Sequence, residues 1–278
     1  DKEDSRPFVE MTERLQRTGV HVPQIEQQDL TQGFLLLEDL GEQLYLDLLQ
    51  PDSVDELYAA ALAALLQFQQ RGDVQGLPPY DATLLLREME LFPDWLLRKH
   101  LSLSLSATEQ RMLAATFEVL IEQALAQPRV FVHRDYHSRN LLYSPQGTPG
   151  IIDYQDAVYG PITYDLVSLL RDCYIRWPAA QVDAWLDTYV QQALAAGLIT
   201  GAQQPQMLRW FDLMGVQRHV KAAGIFARLY HRDGKPGYLK DIPRTLQYIV
   251  EVGQRQPLVA DFAGWVEDRV LKRGLDRM

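Results

Sequence analysis

Cysteine, excess positive charge and long apolar runs are scarce in this sequence. Cys173 is the single cysteine among 278 residues, so no intramolecular disulfide can form. It lies in an apolar run, residues 166–174, that predicts a helix, and we expect it to be buried rather than reactive. No apolar run is long enough to span a membrane, and no segment resembles a secretory leader. Lys and Arg number 27 against 37 Asp and Glu, and the net charge of −10 argues against a general nucleic-acid binder. We therefore expect a cytoplasmic protein with no membrane and no nucleic-acid partner.

The sequence does hold enough apolar residues for a large core, with 47% hydrophobic and 23% charged residues. Near its start, residues 5–18 predict a helix that ends at Gly19, and residues 24–28 and 34–37 predict two strands around Gly33. Later segments have the apolar spacing of helices: residues 57–68, 112–120, 179–196 and 205–230. The chain is thus predicted to have a short α/β beginning and a long, mainly helical remainder.

One segment carries most of the chemical information. Residues 133–140 read HRDYHSRN, and Asp153 follows Asn140 by thirteen residues. Asp135, five residues before Asn140, can accept the proton of an attacking hydroxyl while a metal ion offsets charge on phosphates. These groups stand in the order of the phosphoryl-transfer template H-R-D-x-x-x-x-N. The pattern points to a kinase that uses Mg-ATP.

A predicted β-hairpin brings the two candidate metal ligands together. Residues 141–144 and 149–152 are apolar-rich runs separated by a turn. A hairpin centred just after Gln146 places Asn140 beside Asp153. Amide and carboxylate oxygens are hard ligands that suit Mg²⁺, so the spacing predicts a magnesium site at the end of the hairpin.

Two other interpretations compete with the kinase. Each of Asp135, Asn140 and Asp153 alone could satisfy a turn or a hairpin end, as Asp and Asn often do. A zinc site at His133 and His137 has helical i, i+4 spacing, but both residues lie in a loop with no third ligand pattern. The full string with its downstream carboxylate favours the kinase.

The segment is similar to the aminoglycoside phosphotransferase and choline kinase branch of the kinase-like fold. Residues 153–156, DYQD, stand where protein kinases have Asp-Phe-Gly, and residues 164–169, YDLVSL, are typical of small-molecule kinases. The resemblance implies an α+β, protein-kinase-like fold with two lobes. Residues 1–39 would be a small, partial α/β N-lobe, and residues 40–278 a large, mainly helical C-lobe.

Within this branch, bacterial kinases of cell-wall amino sugars resemble essentially the whole chain. The resemblance is carried by four segments, residues 35–41, 133–142, 151–159 and 224–238. It implies an ATP- and Mg²⁺-dependent kinase that phosphorylates the anomeric hydroxyl of N-acetylmuramate and N-acetylglucosamine in peptidoglycan recycling. The partner would be this small sugar, and we expect a monomer. The alternatives are an aminoglycoside, choline or homoserine phosphotransferase, or an inactive, truncated sugar-binding fragment.

The resemblance also distributes roles around the loop. Asp135 would be the catalytic base, and Asn140 and Asp153 would be the Mg²⁺ ligands. His133 would brace the loop, and Asp165 would support it from a following helix.

A hinge is expected just after the second predicted strand. Glu38, Asp39 and Leu40 match the segment whose backbone groups hold the adenine of ATP in the resembling family. The alternative is an ordinary turn between a strand and a helix. We favour the hinge because a phosphate-transfer motif further along the chain needs a nucleotide pocket.

A local basic cluster is the candidate acceptor site in this otherwise acidic chain. It comprises Arg218, His219, Lys221 and Arg228. Such a cluster suits an anionic substituent, such as the lactyl carboxylate of N-acetylmuramate, better than it suits a polycation. The alternative is a solvated or phosphate-facing helix surface.

Three residues close to the loop are further substrate candidates. His137 and Arg139 lie inside the loop and are candidates to touch substrate or phosphate. Asp156 is a candidate to contact a second metal ion or the sugar, and a turn-capping role is the alternative.

A Gly-rich phosphate loop is not visible in the sequence. Kinase-like folds normally begin with strands that carry such a loop and a basic residue for ATP, whereas this chain opens almost directly on the helix of residues 5–18. Compared with the resembling family, we expect an N-terminal truncation of the small lobe. Glu10 and Glu13 are candidates to pair with an upstream cation, and a solvated helix face is the alternative.

Overall fold

The computed structural model describes residues 4–272 and shows a mainly helical chain with short strands. The elements in chain order are α1 (Arg6–Thr18), β1 (Ile25–Asp29), β2 (Phe34–Leu37), α2 (Tyr45–Leu48), α3 (Val54–Arg71), α4 (Ala82–Met89), α5 (Ala107–Leu125), β3 (Arg129–Val132), β4 (Leu141–Leu142), β5 (Gly150–Ile151), β6 (Val158–Pro161), α6 (Thr163–Leu170), α7 (Ala179–Ala195), α8 (Met207–Asp233), α9 (Ile242–Arg255) and α10 (Ala260–Trp265). The segments Phe92–His100 and Val266–Leu271 are π-helical. Among the described residues, no helix has both the length and the apolar character needed to cross a membrane.

The chain divides into two compact units, each built from several stretches of sequence. The first unit comprises Asp1–Pro79, Pro128–Asp172 and Ala179–Gln204. The second comprises Tyr80–Gln127, Cys173–Pro178 and Pro205–Met278. The lobe boundary predicted after Asp39 falls within the first unit and stays a prediction. The outer ends of the predicted lobes, residues 1–3 and 273–278, lie outside the described residues.

The first unit begins with the helix and the hairpin that the sequence predicts. α1 ends at Thr18 because Gly19 adopts a left-handed conformation, with φ of 88°, that stops the helix without a Cβ penalty. β1 and β2 pair antiparallel, and the turn between them uses Gly33 with φ of 78°. The predicted helix and both strands are thus confirmed to within one residue.

The core of the first unit lies behind the strand that leads into the HRDYHSRN segment. β3 pairs antiparallel with β6, and the apolar stripe of α3 packs against β3. The ring of Phe68 lies 5.8 Å from that of Phe131 and 5.4 Å from that of Tyr136, both edge-on. The buried Tyr136 hydroxyl donates a 2.8 Å hydrogen bond to the Ala61 carbonyl. The predicted helix of residues 57–68 is therefore confirmed, and it fixes the strand and loop before the candidate site.

The hairpin predicted after the HRDYHSRN segment is present, but it is shorter than expected and shifted in register. β4 and β5 have two residues each, with Leu141 opposite Ile151. The Gly147 N–H closes the turn on the Ser144 carbonyl at 3.0 Å, and Gly147 has a φ of 82°. Because the loop has three residues and ends in a left-handed glycine, the second side of the hairpin gains one residue relative to the first. The backbone pairing shifts by one residue as a result. The predicted pairing of the two candidate metal ligands is therefore wrong by one residue.

The second unit is organised around the long helix α8. This helix packs against α9, α5, α4 and the π-helical segment Phe92–His100. The core consists of fully buried apolar side chains, among them Phe92, Leu96, Leu213, Val220, Ile249 and Phe262. The helices predicted at residues 112–120 and 205–230 are confirmed here as α5 and α8, and the one at residues 179–196 is confirmed as α7 of the first unit.

Gly224 sits where α8 approaches the backbone before the π-helical segment. A Cβ atom at Gly224 would lie 2.4 Å from the Leu91 carbonyl carbon and 2.6 Å from the Phe92 nitrogen. We expect Gly224→Ala to reduce the free energy of unfolding by about 1–3 kcal/mol, because the backbones must separate. Gly264→Ala is the matched control: Gly264 is also helical and has nothing within 4 Å of its Cβ position. That change should stabilise the protein by up to about 1 kcal/mol through helix propensity. Urea unfolding measures both, and equal effects of the two substitutions would contradict the close approach.

The helix predicted over residues 166–174 ends earlier than expected. α6 stops at Leu170, and Arg171 leaves helical geometry with φ of −122° and ψ of 52°. Cys173 is buried, as predicted, but it lies beyond the helix. The prediction of a helix up to residue 174 is therefore wrong. The apolar pattern correctly predicted that Cys173 is buried, but it contains no signal for the residue at which the helix ends.

Candidate active site

A buried carboxylate holds the start of the HRDYHSRN loop. Asp165, fully buried in α6, accepts hydrogen bonds from the backbone N–H of His133 at 2.7 Å and of Arg134 at 3.0 Å. Arg134 has a left-handed φ of 79°. A carboxylate that receives two backbone N–H groups forms charge-assisted bonds, which hold a non-glycine residue in a conformation it seldom adopts. Asp165 thereby fixes the direction in which the loop leaves β3.

His133 links the loop to the far end of the hairpin. Its Nε2 donates to the Ile152 carbonyl at 3.0 Å, and its Nδ1 accepts from the Asp135 N–H at 3.3 Å. Burial lowers the pKa of this ring to about 4, so His133 is neutral near pH 7. A neutral imidazole with its proton on Nε2 donates from Nε2 and accepts at Nδ1, which matches these two hydrogen bonds.

This low pKa makes a testable contribution to stability. In the unfolded chain His133 gains a proton near pH 6.5, whereas in the folded protein it resists protonation down to about pH 4. Its neutral form thus stabilises the fold fully above pH 6.5, and that stabilisation declines as the pH falls towards 4. We expect wild type to lose about 3 kcal/mol from this group over that range. His133→Gln, whose amide can still donate to Ile152, should lack this part of the decline. Denaturant unfolding at several pH values measures the difference, and parallel curves for the two proteins would contradict it.

Asp135, Asn140 and Asp153 are brought together by two hydrogen bonds that the Asn140 side-chain amide donates. Asn140 Nδ2 donates to the Asp135 carbonyl at 2.9 Å and to Asp153 Oδ2 at 3.2 Å. The backbone carbonyl of Asn140 accepts from the Ile152 N–H at 3.1 Å, so Ile152, not Asp153, is its backbone partner. Asp153 nevertheless reaches Asn140 through its side chain. Its φ of 66° is left-handed, and the chain turns sharply at this residue.

The donor set of this cluster fits a hard divalent cation. With Asn140 Nδ2 held by two acceptors, Asn140 Oδ1 remains as a ligand oxygen beside the exposed Asp153 carboxylate. Within residues 4–272 no group of three or more His, Cys, Asp or Glu side chains could hold a metal ion. One carboxylate and one amide are a normal protein contribution to a Mg²⁺ site, because Mg²⁺ keeps positions for water and phosphate. These residues therefore fit magnesium and do not fit an all-protein zinc site.

Backbone strain is concentrated in this part of the molecule. In the described part of the chain the non-glycine residues with positive φ are Ser102, Arg134 and Asp153. Arg134 directly precedes Asp135 of the cluster, and Asp153 belongs to the cluster. Strained residues persist where surrounding contacts determine them, and they gather at functional sites.

The predicted hinge lines a cleft of the first unit. Glu38 bonds through its carboxylate to His21 Nε2 and to the Gln24 N–H, both at 3.1 Å. The bond with His21 is the main reason that the pKa of Glu38 is lowered. Asp39 accepts from the Gly41 N–H at 2.8 Å. The cleft has a volume of about 480 Å³. It is lined on one side by His21 and residues 38–41, and on the other by Tyr143, Ser144, Pro145, Gln146 and Thr148 of the hairpin.

The four residues of the basic cluster all belong to α8 in the second unit. Helical spacing puts Arg218, Lys221 and Arg228 on one stripe of this helix. Lys221 is buried and forms a 3.1 Å ion pair with the buried Glu88 of α4. His219 is fully buried and stacks on Tyr248, with ring centroids 4.7 Å apart. The alternative of a solvated surface therefore does not describe Arg218, His219 and Lys221, all of which are buried.

The remaining candidates differ in exposure. His137 and Arg139 are half-buried within the loop, and Asp156 is exposed with its backbone carbonyl accepting from Arg134 Nη1 at 3.3 Å. Glu10 and Glu13 are exposed on α1 and pair with Arg14 and Arg17 of the same helix.

Some residues that hold the loop were missed by sequence reasoning. Asp172 accepts two hydrogen bonds from Ser138 in the middle of the loop. Tyr154, next to Asp153, bonds through its hydroxyl to Thr12 at 2.8 Å. An aspartate inside the apolar run of residues 166–174 was a usable signal for the first contact, because a buried charge needs partners. No comparable sequence pattern indicates the contact between Tyr154 and Thr12.

The order of these groups along the chain agrees with a comparison to protein families. The sequence model of the phosphotransferase enzyme family matches residues 1–205. The chain belongs to this family. It is 50% identical over 94% of its length to the N-acetylmuramate/N-acetylglucosamine kinase of Pseudomonas putida, and it covers 76% of that relative. The predicted resemblance and the prediction of a phosphotransferase enzyme are confirmed.

Solved structures establish the fold. An ADP-bound aminoglycoside phosphotransferase, APH(2'')-Ib, matches with a TM-score of 0.58 and 16% identity, over 89% of this chain and 84% of that chain. The choline kinase LicA from Streptococcus pneumoniae matches with a TM-score of 0.61 and 13% identity, over 87% of this chain and 79% of that chain. The predicted α+β, protein-kinase-like fold is therefore confirmed.

Proposed function

We propose that the chain is an ATP-dependent kinase that phosphorylates the anomeric hydroxyl of N-acetylmuramate and N-acetylglucosamine, in the recovery of peptidoglycan sugars. The observation that carries this proposal is the 50% identity with a kinase named for these two sugars, over 94% of the chain. Asp135, Asn140 and Asp153, in the order and contacts that phosphoryl transfer needs, support it.

Asp135 is the proposed base and orienting group for the sugar hydroxyl. Its backbone is held by His133 Nδ1 on one side and by the Asn140 amide on the other. An anomeric hydroxyl is more acidic than an ordinary alcohol. Asp135 therefore needs mainly to align the hydroxyl with the phosphorus atom and to accept its proton late.

Asn140 and Asp153 are the proposed ligands for Mg²⁺. A bound magnesium ion would supply charge stabilisation to the transferring phosphoryl group. The chain itself holds the two ligands at the end of the hairpin, where the Asn140 amide is oriented by the Asp135 carbonyl. Gln155 Nε2 donates to Asp153 Oδ1 at 2.8 Å and orients that carboxylate.

Glu38, Asp39 and Leu40 are the proposed binding segment for the adenine of ATP. The cleft that they share with the hairpin supports this role. The Glu38 side chain is engaged with His21 and the Gln24 N–H, and the Asp39 side chain with the Gly41 N–H. The side chains therefore fix the shape of the segment, and its backbone groups would meet the base.

The basic stripe of α8 is the proposed contact for the carboxylate that distinguishes N-acetylmuramate. Arg218 and Lys221 are buried cations on one face of the helix, and Arg228 lies on the same stripe. Hydrogen bonds from a cation to a carboxylate are stronger than neutral ones, and Lys221, which pairs with the buried Glu88 at 3.1 Å, would share its ammonium group between the two carboxylates. His219, His137, Arg139 and Asp156 remain proposed substrate contacts. The predicted cytoplasmic location and monomeric state also remain proposals, and light scattering after size exclusion tests the second.

³¹P NMR of the full-length protein with Mg-ATP and each sugar tests the function. A new phosphate signal coupled to the anomeric proton is the expected result. Kanamycin, choline and homoserine are the control acceptors, and phosphorylation of one of them without either sugar would replace the proposal by the other enzyme interpretation. A lower KM for N-acetylmuramate than for N-acetylglucosamine is expected from the basic stripe.

A further inference from the structure

Two buried carboxylates at opposite ends of one helix hold the HRDYHSRN loop. Asp165 lies in the first turn of α6, and Asp172 follows two residues after the helix ends at Leu170. Asp165 receives the N–H groups of His133 and Arg134, at the start of the loop. Asp172 receives the loop at Ser138, midway between Asp135 and Asn140. A short helix thus supports the loop at two points.

The contact of Asp172 with Ser138 is compact and buried. Asp172 Oδ2 accepts from the Ser138 N–H at 3.0 Å and from the Ser138 hydroxyl at 2.5 Å. The exposed fraction is 1% for Asp172 and 0% for Ser138. The Ser138 carbonyl in turn accepts from the Leu46 N–H at 3.1 Å. Bonds to an ionised carboxylate are short and stronger than neutral ones, so Ser138 is a firmly fixed point of the loop interior.

Two backbone hydrogen bonds fold the loop between Asp135 and Asn140. The His137 N–H donates to the Asp135 carbonyl at 3.0 Å, and the Asn140 N–H donates to the His137 carbonyl at 2.9 Å. Such turn bonds keep the loop folded, but they do not attach it to the rest of the molecule. Tyr136 attaches it to α3 through the Ala61 carbonyl, and Ser138 attaches it to Asp172 and Leu46.

We propose that Asp172 is a positioning residue for phosphoryl transfer. By fixing Ser138, it sets the separation of the proposed base Asp135 from the proposed metal ligand Asn140. This inference rests on the proposed function. Replacement of this carboxylate by an amide weakens both hydrogen bonds from Ser138, because a neutral oxygen is a poorer acceptor than an ionised one, and the loop then shifts. A shift of about 1 Å at reacting groups is enough for a 100-fold loss of rate.

Asp172→Asn and Ser138→Ala test the proposal, with Tyr189→Phe as the matched control. Asp172→Asn keeps the shape but removes the charge, and Ser138→Ala removes only the hydroxyl donor. Tyr189→Phe also removes a buried hydrogen bond of the first unit, to Gln69 at 2.5 Å, but it does not touch the loop. The measurements are kcat and KM for the sugar, the Mg²⁺ concentration that gives half-maximal ATP binding, and the melting temperature.

We expect Asp172→Asn to lower kcat by about 10- to 100-fold with the sugar KM unchanged within about threefold, and to raise the Mg²⁺ requirement about tenfold. Ser138→Ala should lower kcat by about three- to tenfold, and the double variant should lose less than the product of the two single losses. Tyr189→Phe should lower the melting temperature and leave kcat and the Mg²⁺ requirement at wild-type values.

A variant that loses stability but keeps the wild-type kcat and Mg²⁺ requirement would give Asp172 a merely structural role and overturn the proposal. If Asp172→Asn does not fold, Ser138→Ala decides by the same two readouts. If wild type transfers no phosphate to either sugar, the proposed function fails. The Mg²⁺ dependence of ATP binding in the variants then tests the positioning role of Asp172 separately. An unchanged dependence in the variants, or no such binding in wild type, would overturn the positioning role.

Discussion

Asp135→Asn is expected to lower kcat by about 1000-fold or more, with sugar affinity close to that of wild type. An amide cannot accept the proton of the sugar hydroxyl, and a positioned base contributes roughly 10²- to 10⁴-fold to such a transfer. The fold should survive, because the hydrogen bonds of the Asp135 backbone N–H and carbonyl are kept in the variant. Steady-state kinetics and sugar titration by calorimetry measure the two effects separately.

The control for this variant is Asp187→Asn, which removes an exposed carboxylate from α7 in the same unit. It should match wild type in kcat and in sugar binding. Normal turnover of Asp135→Asn would remove Asp135 from the mechanism. Equal losses of turnover and of sugar binding would mean that Asp135 binds the sugar in the ground state and does not act only in the transition state.

Asp153→Asn is expected to lower kcat by about 100-fold at a fixed Mg²⁺ concentration and to raise the Mg²⁺ requirement about tenfold or more. The reason is the loss of the one carboxylate in the proposed ligand pair with Asn140. Asn at this position also tolerates the left-handed φ of 66° better than most residues do, so the hairpin should keep its shape. Kinetics over a range of Mg²⁺ concentrations measure the shift.

Partial recovery of Asp153→Asn at high Mg²⁺ separates a weakened metal site from a damaged fold. A variant whose activity stays low at every Mg²⁺ concentration, with an unchanged Mg²⁺ requirement, would contradict the role as ligand. Asp187→Asn serves again as the control and should have the Mg²⁺ dependence of wild type.

Local sequence signals predicted the elements that depend on local physics. Gly19 ends α1 because a left-handed residue there costs glycine little, and that signal is readable from the sequence alone. The apolar stripe of residues 57–68 predicted α3 because side chains three and four residues apart share a face. The strands of residues 24–28 and 34–37 were predicted by β-propensity around a glycine turn.

The register of the hairpin is a feature that such local signals did not predict. Its existence followed from two apolar runs and a turn, but its register depends on Gly147 taking a left-handed conformation at the end of a three-residue loop. That choice moved the backbone partner of Asn140 from Asp153 to Ile152. The side chain of Asp153 still meets Asn140, because a left-handed turn at Asp153 compensates for the shift.

The order of chemical groups can be read from the amino-acid sequence alone: a carboxylate, an amide five residues later and a second carboxylate after a hairpin. That order is local, and it was enough to indicate phosphoryl transfer. The residue that holds the loop at Ser138, Asp172, is known only from the fold, and so is the pairing of Glu88 with the substrate candidate Lys221. These partners are 34 and 133 residues apart in the chain. Long-range contacts of this kind are set by how the helices pack, and helix propensity and apolar spacing carry no information about the choice of partner.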